Sequence, residues 1–112
     1  MELIRETIIN EIITKVTALI TEQWVNVDIS FYNWVEQSSD YEFYYVYEST
    51  FKKYFELKPE TGILLSYYSQ NLCYSLLSFC EFGKTYYEID TFIKKFITHQ
   101  FKNITLEELY LN

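Results

Sequence analysis

Only three of the 112 residues, Pro59, Gly62 and Gly83, are of the two kinds that punctuate a backbone most strongly. No Gly- or Ser-rich stretch divides the chain, and it holds no low-complexity tract or recognisable internal repeat, so residues 1–112 read as a single domain. The same shortage limits the chemistry. Phosphate-cradling loops and nucleophile elbows are built on clustered glycines, because the backbone there must turn tightly or approach a ligand closely. Two isolated glycines supply neither, which sets aside most nucleotide-dependent and hydrolytic enzymes.

A chain of this length has room for one core. Hydrophobic residues make up 49% of it and aromatics 21%, with 12 Tyr, 9 Phe and 2 Trp, so burial can offset the conformational entropy of folding. No apolar run reaches the roughly 18–20 residues that cross a bilayer. Met1-Glu2-Leu3-Ile4-Arg5-Glu6 lacks the basic and apolar regions of a signal peptide, and the expected compartment is the cytoplasm. Cys73 and Cys80 would lie two turns apart on one helix, about 10 Å and beyond disulfide reach. They match no zinc spacing and read as buried free thiols.

Periodicity divides the chain further. Ile4, Ile8, Ile12, Val16 and Leu19, with Ile9, Ile13 and Ile20 beside them, repeat as one face of a helix over residues 3–20, opposite Glu2, Glu6, Glu11 and Lys15. From Val25 the period shortens. Val25, Val27, Ile29 and Phe31 alternate with Asn26, Asp28, Ser30 and Tyr32, the pattern of a half-buried strand. Glu36-Gln37-Ser38-Ser39-Asp40 reads as a turn and Tyr41 to Glu48 as a second strand whose rings fit a pleated surface, so the two make a hairpin. Residues 51–57 fit either a third strand or a helical turn. Ile63 to Phe82 carries helical spacing at Leu65, Tyr68, Leu72, Leu76 and Phe79, followed by a hairpin-like tail around Gly83. A helix leading into a strand pair meets both signals. Asp90 is placed to cap a helix bearing Phe92, Ile93, Phe96, Ile97 and Phe101, and Thr105-Leu106-Glu107-Glu108 has the capping-box order for a last short helix. The expected class is α+β, an N-terminal helix and C-terminal helices packed on a small, mainly antiparallel sheet.

Charge says more about function than any motif. The formal net charge is −7, which argues against direct nucleic-acid binding because phosphate contacts need Lys and Arg. Residues 16–51 hold six acids, Glu22, Asp28, Glu36, Asp40, Glu42 and Glu48, and no Lys or Arg, whereas four acids and four bases cancel from residue 84 onward. Ten aromatics lie between Trp24 and Phe51 among those acids. Tyrosine supplies rigid contact area with a hydroxyl, and carboxylates steer and pair with basic groups, so this mixture suits a surface that meets a basic partner. An aromatic sheet core with a solvated acidic face accounts for it equally well. The lone His99 has no ligand set or nucleophile in its neighbourhood and reads as structural. Paired carboxylates, for example Asp28 with Glu42 or Glu48 across the hairpin, could serve acid/base work or a hard cation.

The order of segments also carries a resemblance. An N-terminal helix, then Trp24-Val25-Asn26-Val27-Asp28-Ile29, then Tyr41-Glu42-Phe43-Tyr44-Tyr45, then Phe82-Gly83-Lys84 before Tyr86-Tyr87-Glu88-Ile89-Asp90 resembles the YezG-type family among the small acidic immunity proteins of bacterial toxin–immunity systems. It spans residues 1–90 as an order of elements and departs from that pattern after Asp90. The resemblance implies neutralisation of a toxin, often a nuclease, by occupying its active cleft or another inhibitory surface. The implied partner is a cognate protein toxin, a basic nuclease domain, met by Asp28, Tyr32, Glu36, Asp40, Glu42, Tyr44 and Glu48. The chain itself is then a monomer or homodimer, not an enzyme, with no cofactor or metal. Rival readings are a phage-encoded inhibitor such as an anti-CRISPR protein that mimics nucleic acid, a small metal-dependent enzyme built on the acidic hairpin, and a structural module that buries its aromatics in a homodimer.

Overall fold

The aliphatic stripe of the first segment does what its spacing predicts. In the computed structural model, which describes residues 2–25, 30–34, 40–81 and 83–102, it forms helix α1, Glu2–Ile20. Ile8, Ile12, Val16 and Ile20 are buried at every fourth position with Ile9 and Ile13 alongside, while Glu6 and Lys15 are exposed. Each such side chain contributes about 1.5–3 kcal/mol by leaving water. One π-helical turn, Thr21–Val25, continues α1, and the four-residue α2, Phe31–Trp34, follows. This corner is fixed by side chains. Trp34 is buried, meets Phe43 edge to face at 5.9 Å, and donates from Nε1 to Gln23 Oε1 at 3.1 Å.

The remaining long helices are α3, Asp40–Lys52, α4, Thr61–Phe79, and α5, Tyr86–Lys102. Helix α3 packs against α1 and α4, and α5 packs against the same two from the other side, so the four long helices close into a bundle. Every one buries a stripe at helical spacing: Phe43, Tyr47, Thr50 and Phe51 from α3, Leu65, Ser69, Leu72 and Leu76 from α4, and Ile89, Ile93, Ile97 and Phe101 from α5. Phe101 gathers the rings of two other helices around it, with Tyr47 at 5.4 Å, Phe51 at 5.5 Å and Tyr68 at 5.1 Å, all edge to face. A polar thread runs through the same place: Tyr47 donates to Gln100 Oε1 at 2.8 Å, and Gln100 Nε2 donates to the Tyr68 carbonyl at 2.8 Å. Burial pushes the Tyr47 hydroxyl well above its ordinary pKa, so it stays a donor throughout the physiological range.

The fold is therefore all-α, and the expected α+β class is overturned: the described residues contain no strand and no sheet. Tyr41 to Glu48, read as a strand, lies inside α3. Its tyrosines satisfy both periods, but helical spacing continues to Thr50 and Phe51, and neighbours four apart pair on it: Tyr41 with Tyr45, Tyr44 with Glu48, Glu48 with Lys52. The expected partner strand also fails at its ends, because Val25 closes the π-helical turn and Phe31 begins α2. Phe51 and Lys52 finish α3 rather than opening a third strand.

The supposed hairpin around Gly83 is a helix–helix connection. Helix α4 stops at Phe79, and Gly83 takes φ +78°, a left-handed conformation that glycine adopts without steric cost, before α5 begins. Asp90 does not cap α5 either; it forms an ion pair with Lys94 one turn on, at 3.1 Å. The cap is Thr85, whose hydroxyl accepts from the Glu88 backbone N–H at 3.2 Å while Glu88 Oε1 accepts from the Thr85 backbone N–H at 3.1 Å, a reciprocal capping box. The Thr85 N–H first and its hydroxyl second, both donating to Glu88 Oε1, hold the Glu88 carboxyl below its ordinary pKa. The helix expected from Thr105 lies outside the described residues. Cys73 is buried and Cys80 half-buried, neither in a disulfide, and burial pushes the Cys80 thiol up to about 11.

Candidate functional site

Helix α3 carries every expected contact residue whose side chain the structure describes. Asp28 and Glu36 lie outside the described residues, and of Tyr32 and Asp40 only the helical backbone is described. That leaves Glu42, Tyr44 and Glu48. Helical geometry separates them: Tyr44 and Glu48 stand one turn apart on one side, and Glu42 turns toward the end of α1. The pairing of Asp28 with Glu42 or Glu48 across a hairpin falls with the hairpin.

Tyr44 and Glu48 are occupied with each other. The Tyr44 hydroxyl donates to Glu48 Oε2 at 2.7 Å, and Lys52 lies 3.6 Å from the other oxygen. The carboxylate acceptor, helped by partial burial, pushes the Tyr44 hydroxyl up to about 12. Tyr44 also leans over Gly62 at the start of α4, where a Cβ would come within 3.3 Å of its hydroxyl oxygen. Tyr44 thus meets α4, while Glu48 is engaged within α3.

Glu42 is in a different position. It is half-buried, and its Oε2 is shut from water with no hydrogen-bond partner. Around it lies a shallow pocket of about 260 Å³ lined by Leu19 and Gln23 from the end of α1 and by Tyr41, Tyr45, Val46 and Ser49 from α3. Tyr41 and Tyr45 are exposed and tilted together at 5.4 Å between ring centres. Sequence reasoning missed Tyr41 and Tyr45, and it missed that Glu42 holds a buried oxygen without a donor. The first omission was avoidable, since a helix puts residues 41, 42, 45, 46 and 49 on one side.

Chemically, a carboxylate beside two accessible ring faces suits a cation on a long stem. A guanidinium can stack on tyrosine and donate two parallel hydrogen bonds to a carboxylate. The pocket is smaller than the roughly 300–1,000 Å³ of small-molecule sites, and its scale is that of one side chain. Among the described residues no group of three or more His, Cys, Asp or Glu comes together, and no helix is long and apolar enough to cross a membrane. His99 is exposed on α5.

No family model matches the chain, and comparison with curated proteins and with solved structures finds no significant match. Tyr41-Glu42-Phe43-Tyr44-Tyr45, one of the segments behind the resemblance to the YezG-type family, lies in helix α3.

Proposed function

We propose that this chain is a binding protein of the cytoplasm that neutralises a basic protein toxin, in the manner of an immunity protein, by receiving a lysine or arginine side chain of the toxin at Glu42. The observation that carries this reading is Glu42 Oε2 without a donor, in a pocket that the exposed Tyr41 and Tyr45 also line. Buried acceptors are nearly always satisfied, so one without a donor calls for an explanation, and a partner's cation that displaces the surrounding side chains and reaches the carboxylate supplies one. The surrounding charge supports a cationic visitor, since residues 16–51 contain six acids and no Lys or Arg. Glu22, exposed on the turn after α1, belongs to the same stretch. Attraction of this kind raises association rates and discriminates against acidic partners. No redox, metal or nucleophilic chemistry is required of the chain.

The test is to mix the protein with the toxin domain encoded by the adjacent reading frame and to measure both complex formation and residual nuclease activity. The expected result is a stoichiometric complex with the nuclease silenced, weakening as salt rises because the attraction is screened. A toxin domain that neither binds nor loses activity removes the proposal.

A further inference from the structure

Helix α4 contains no charged residue along its 19 positions, in a chain whose net charge is −7. Its inner face fills the core. On its outer face Ile63, Tyr67, Gln70 and Tyr74 follow one another at steps of four, three and four, so they form one straight stripe about 16 Å long at 1.5 Å per residue. Exposure along it is high, 78% for Ile63, 60% for Tyr67 and 67% for Tyr74. An open groove of about 690 Å³ between α3 and α4 shares Ile63, Tyr67 and Gln70 with the stripe and is lined also by Tyr41, Gly62 and Ser66; no Asp, Glu, Lys or Arg lines it.

We infer that this stripe is the interface of a homodimer, in which Tyr67 and Ile63 of one copy seat in the α3–α4 groove of the other. Charge selects the occupant. A basic partner gains nothing from an uncharged strip and is drawn instead to the acids elsewhere on the chain. Two copies of an acidic protein, by contrast, repel each other over most of their surface and can approach only where charge is absent. A two-fold axis across α4 sets uncharged surface against uncharged surface, and ridge against groove, as a self-complementary interface requires. The area is sufficient. Taking a tyrosine as roughly 200 Å², the exposed parts of Ile63, Tyr67, Tyr74 and Tyr41 come to about 500 Å² per copy. A pair would bury about 1,000 Å², the level at which specific interfaces begin. That size points to a dimer that exchanges with monomer. The inference does not rest on the function proposed at Glu42, although the two surfaces meet at Tyr41, which lines both.

Sedimentation equilibrium of the isolated full chain across a wide concentration range, at low and high salt, tests it. The expected result is a mass that rises from one chain to two with concentration, and more readily at high salt, where repulsion between like-charged copies is screened. Tyr67→Glu should weaken the dimer at least tenfold with its helical circular dichroism unchanged, since Tyr67 is exposed and adds nothing to the core. Tyr87→Glu, which alters an exposed tyrosine on α5, should leave the dimer intact. A single-chain mass throughout overturns the inference, and so does a dimer indifferent to Tyr67→Glu. A monomer whose binding to the adjacent gene's toxin domain depends on Tyr67 also overturns it, by assigning the stripe to that partner. Failure of toxin binding with an intact Tyr67-dependent dimer would instead count against the Glu42 reading alone.

Discussion

Two half-buried glutamates face opposite fortunes in this bundle. Glu11, on α1, accepts from the Tyr54 hydroxyl in a very short hydrogen bond and from Lys53 Nζ at 3.2 and 3.3 Å, with Lys15 at 4.0 Å completing its surroundings. Glu42, on α3, has an oxygen closed off from water that no donor reaches. Both helices are well packed, so packing is not what separates the two. Glu11 ties α1 to the turn after α3 and serves the fold. An unanswered acceptor such as that of Glu42 works against folding.

Substituting Glu42 should therefore act on binding and folding in opposite senses. Glu42→Met keeps the length of the side chain and removes the unsatisfied oxygen. Affinity for the toxin domain should fall by about 2 kcal/mol or more, roughly 30-fold, as expected when one member of a desolvated charge pair is removed. Folding stability should hold or rise, which urea unfolding would read as an unchanged or higher midpoint with the same slope. A fall in stability together with unaltered affinity would reverse the roles assigned to the two glutamates.

The thread from Tyr47 through Gln100 to the Tyr68 carbonyl supplies an interior control whose polar groups are answered. Tyr47→Phe removes the donor to Gln100 and leaves that buried amide oxygen alone, at a cost of about 1–3 kcal/mol in unfolding free energy. The same substitution should not alter toxin affinity, because Tyr47 is fully buried. Smaller again is Thr85→Ala, which removes one half of the capping box and should lower stability by about 1 kcal/mol. Its fraying should appear as faster amide exchange confined to the first turn of α5.

These contrasts also show what the amino-acid order discloses and what it hides. Helix α1 is legible because its branched aliphatic residues occur at helical spacing and at no other. The inward face of α5 is nearly as plain in Ile93, Ile97 and Phe101. Residues 40–52 are not, because five aromatics among Tyr41–Tyr47 satisfy a two-residue and a helical period at once, and aromatic residues lose only a few tenths of a kcal/mol in a helix. What distinguishes the two is the register of polar neighbours, Tyr44, Glu48 and Lys52 at steps of four, together with the scarcity of glycine. Short hairpins favour glycine in their turns, and this chain has only Gly62, inside α4, and Gly83, between α4 and α5. Thr85-Tyr86-Tyr87-Glu88 has the same capping order as Thr105 to Glu108, yet Gly83 beside it also suits a hairpin, and the two readings exclude each other. Of the candidate site, the concentration of acids and tyrosines was visible, but not which acid lacks a donor. That property belongs to packing between α1 and α3, which no single segment encodes.

The least of the expected effects sharpens the comparison through pH. Donors from Tyr54 first and Lys53 second hold the Glu11 carboxyl below its ordinary value of 4.5, against a smaller opposing effect of desolvation. The same contact raises the pKa of Lys53 and of Tyr54, as a shared hydrogen-bonded cluster must. A carboxyl depressed on folding contributes stability that is complete above its unfolded pKa and is lost as pH falls through the folded one. The loss attributable to Glu11 is therefore confined to pH below 4.5. Glu11→Gln should leave a flatter stability profile in that acid range, with lower stability than the parent at neutral pH and a narrowing gap as both are acidified. Glu88, held down by its own cap, shifts in the same direction, so the Thr85→Ala background should remove a separate, additive part of the acid slope. If Glu11→Gln and the parent instead lose stability in parallel below that pH, the Tyr54–Glu11–Lys53 cluster contributes nothing to folding, and the contrast between the two glutamates collapses.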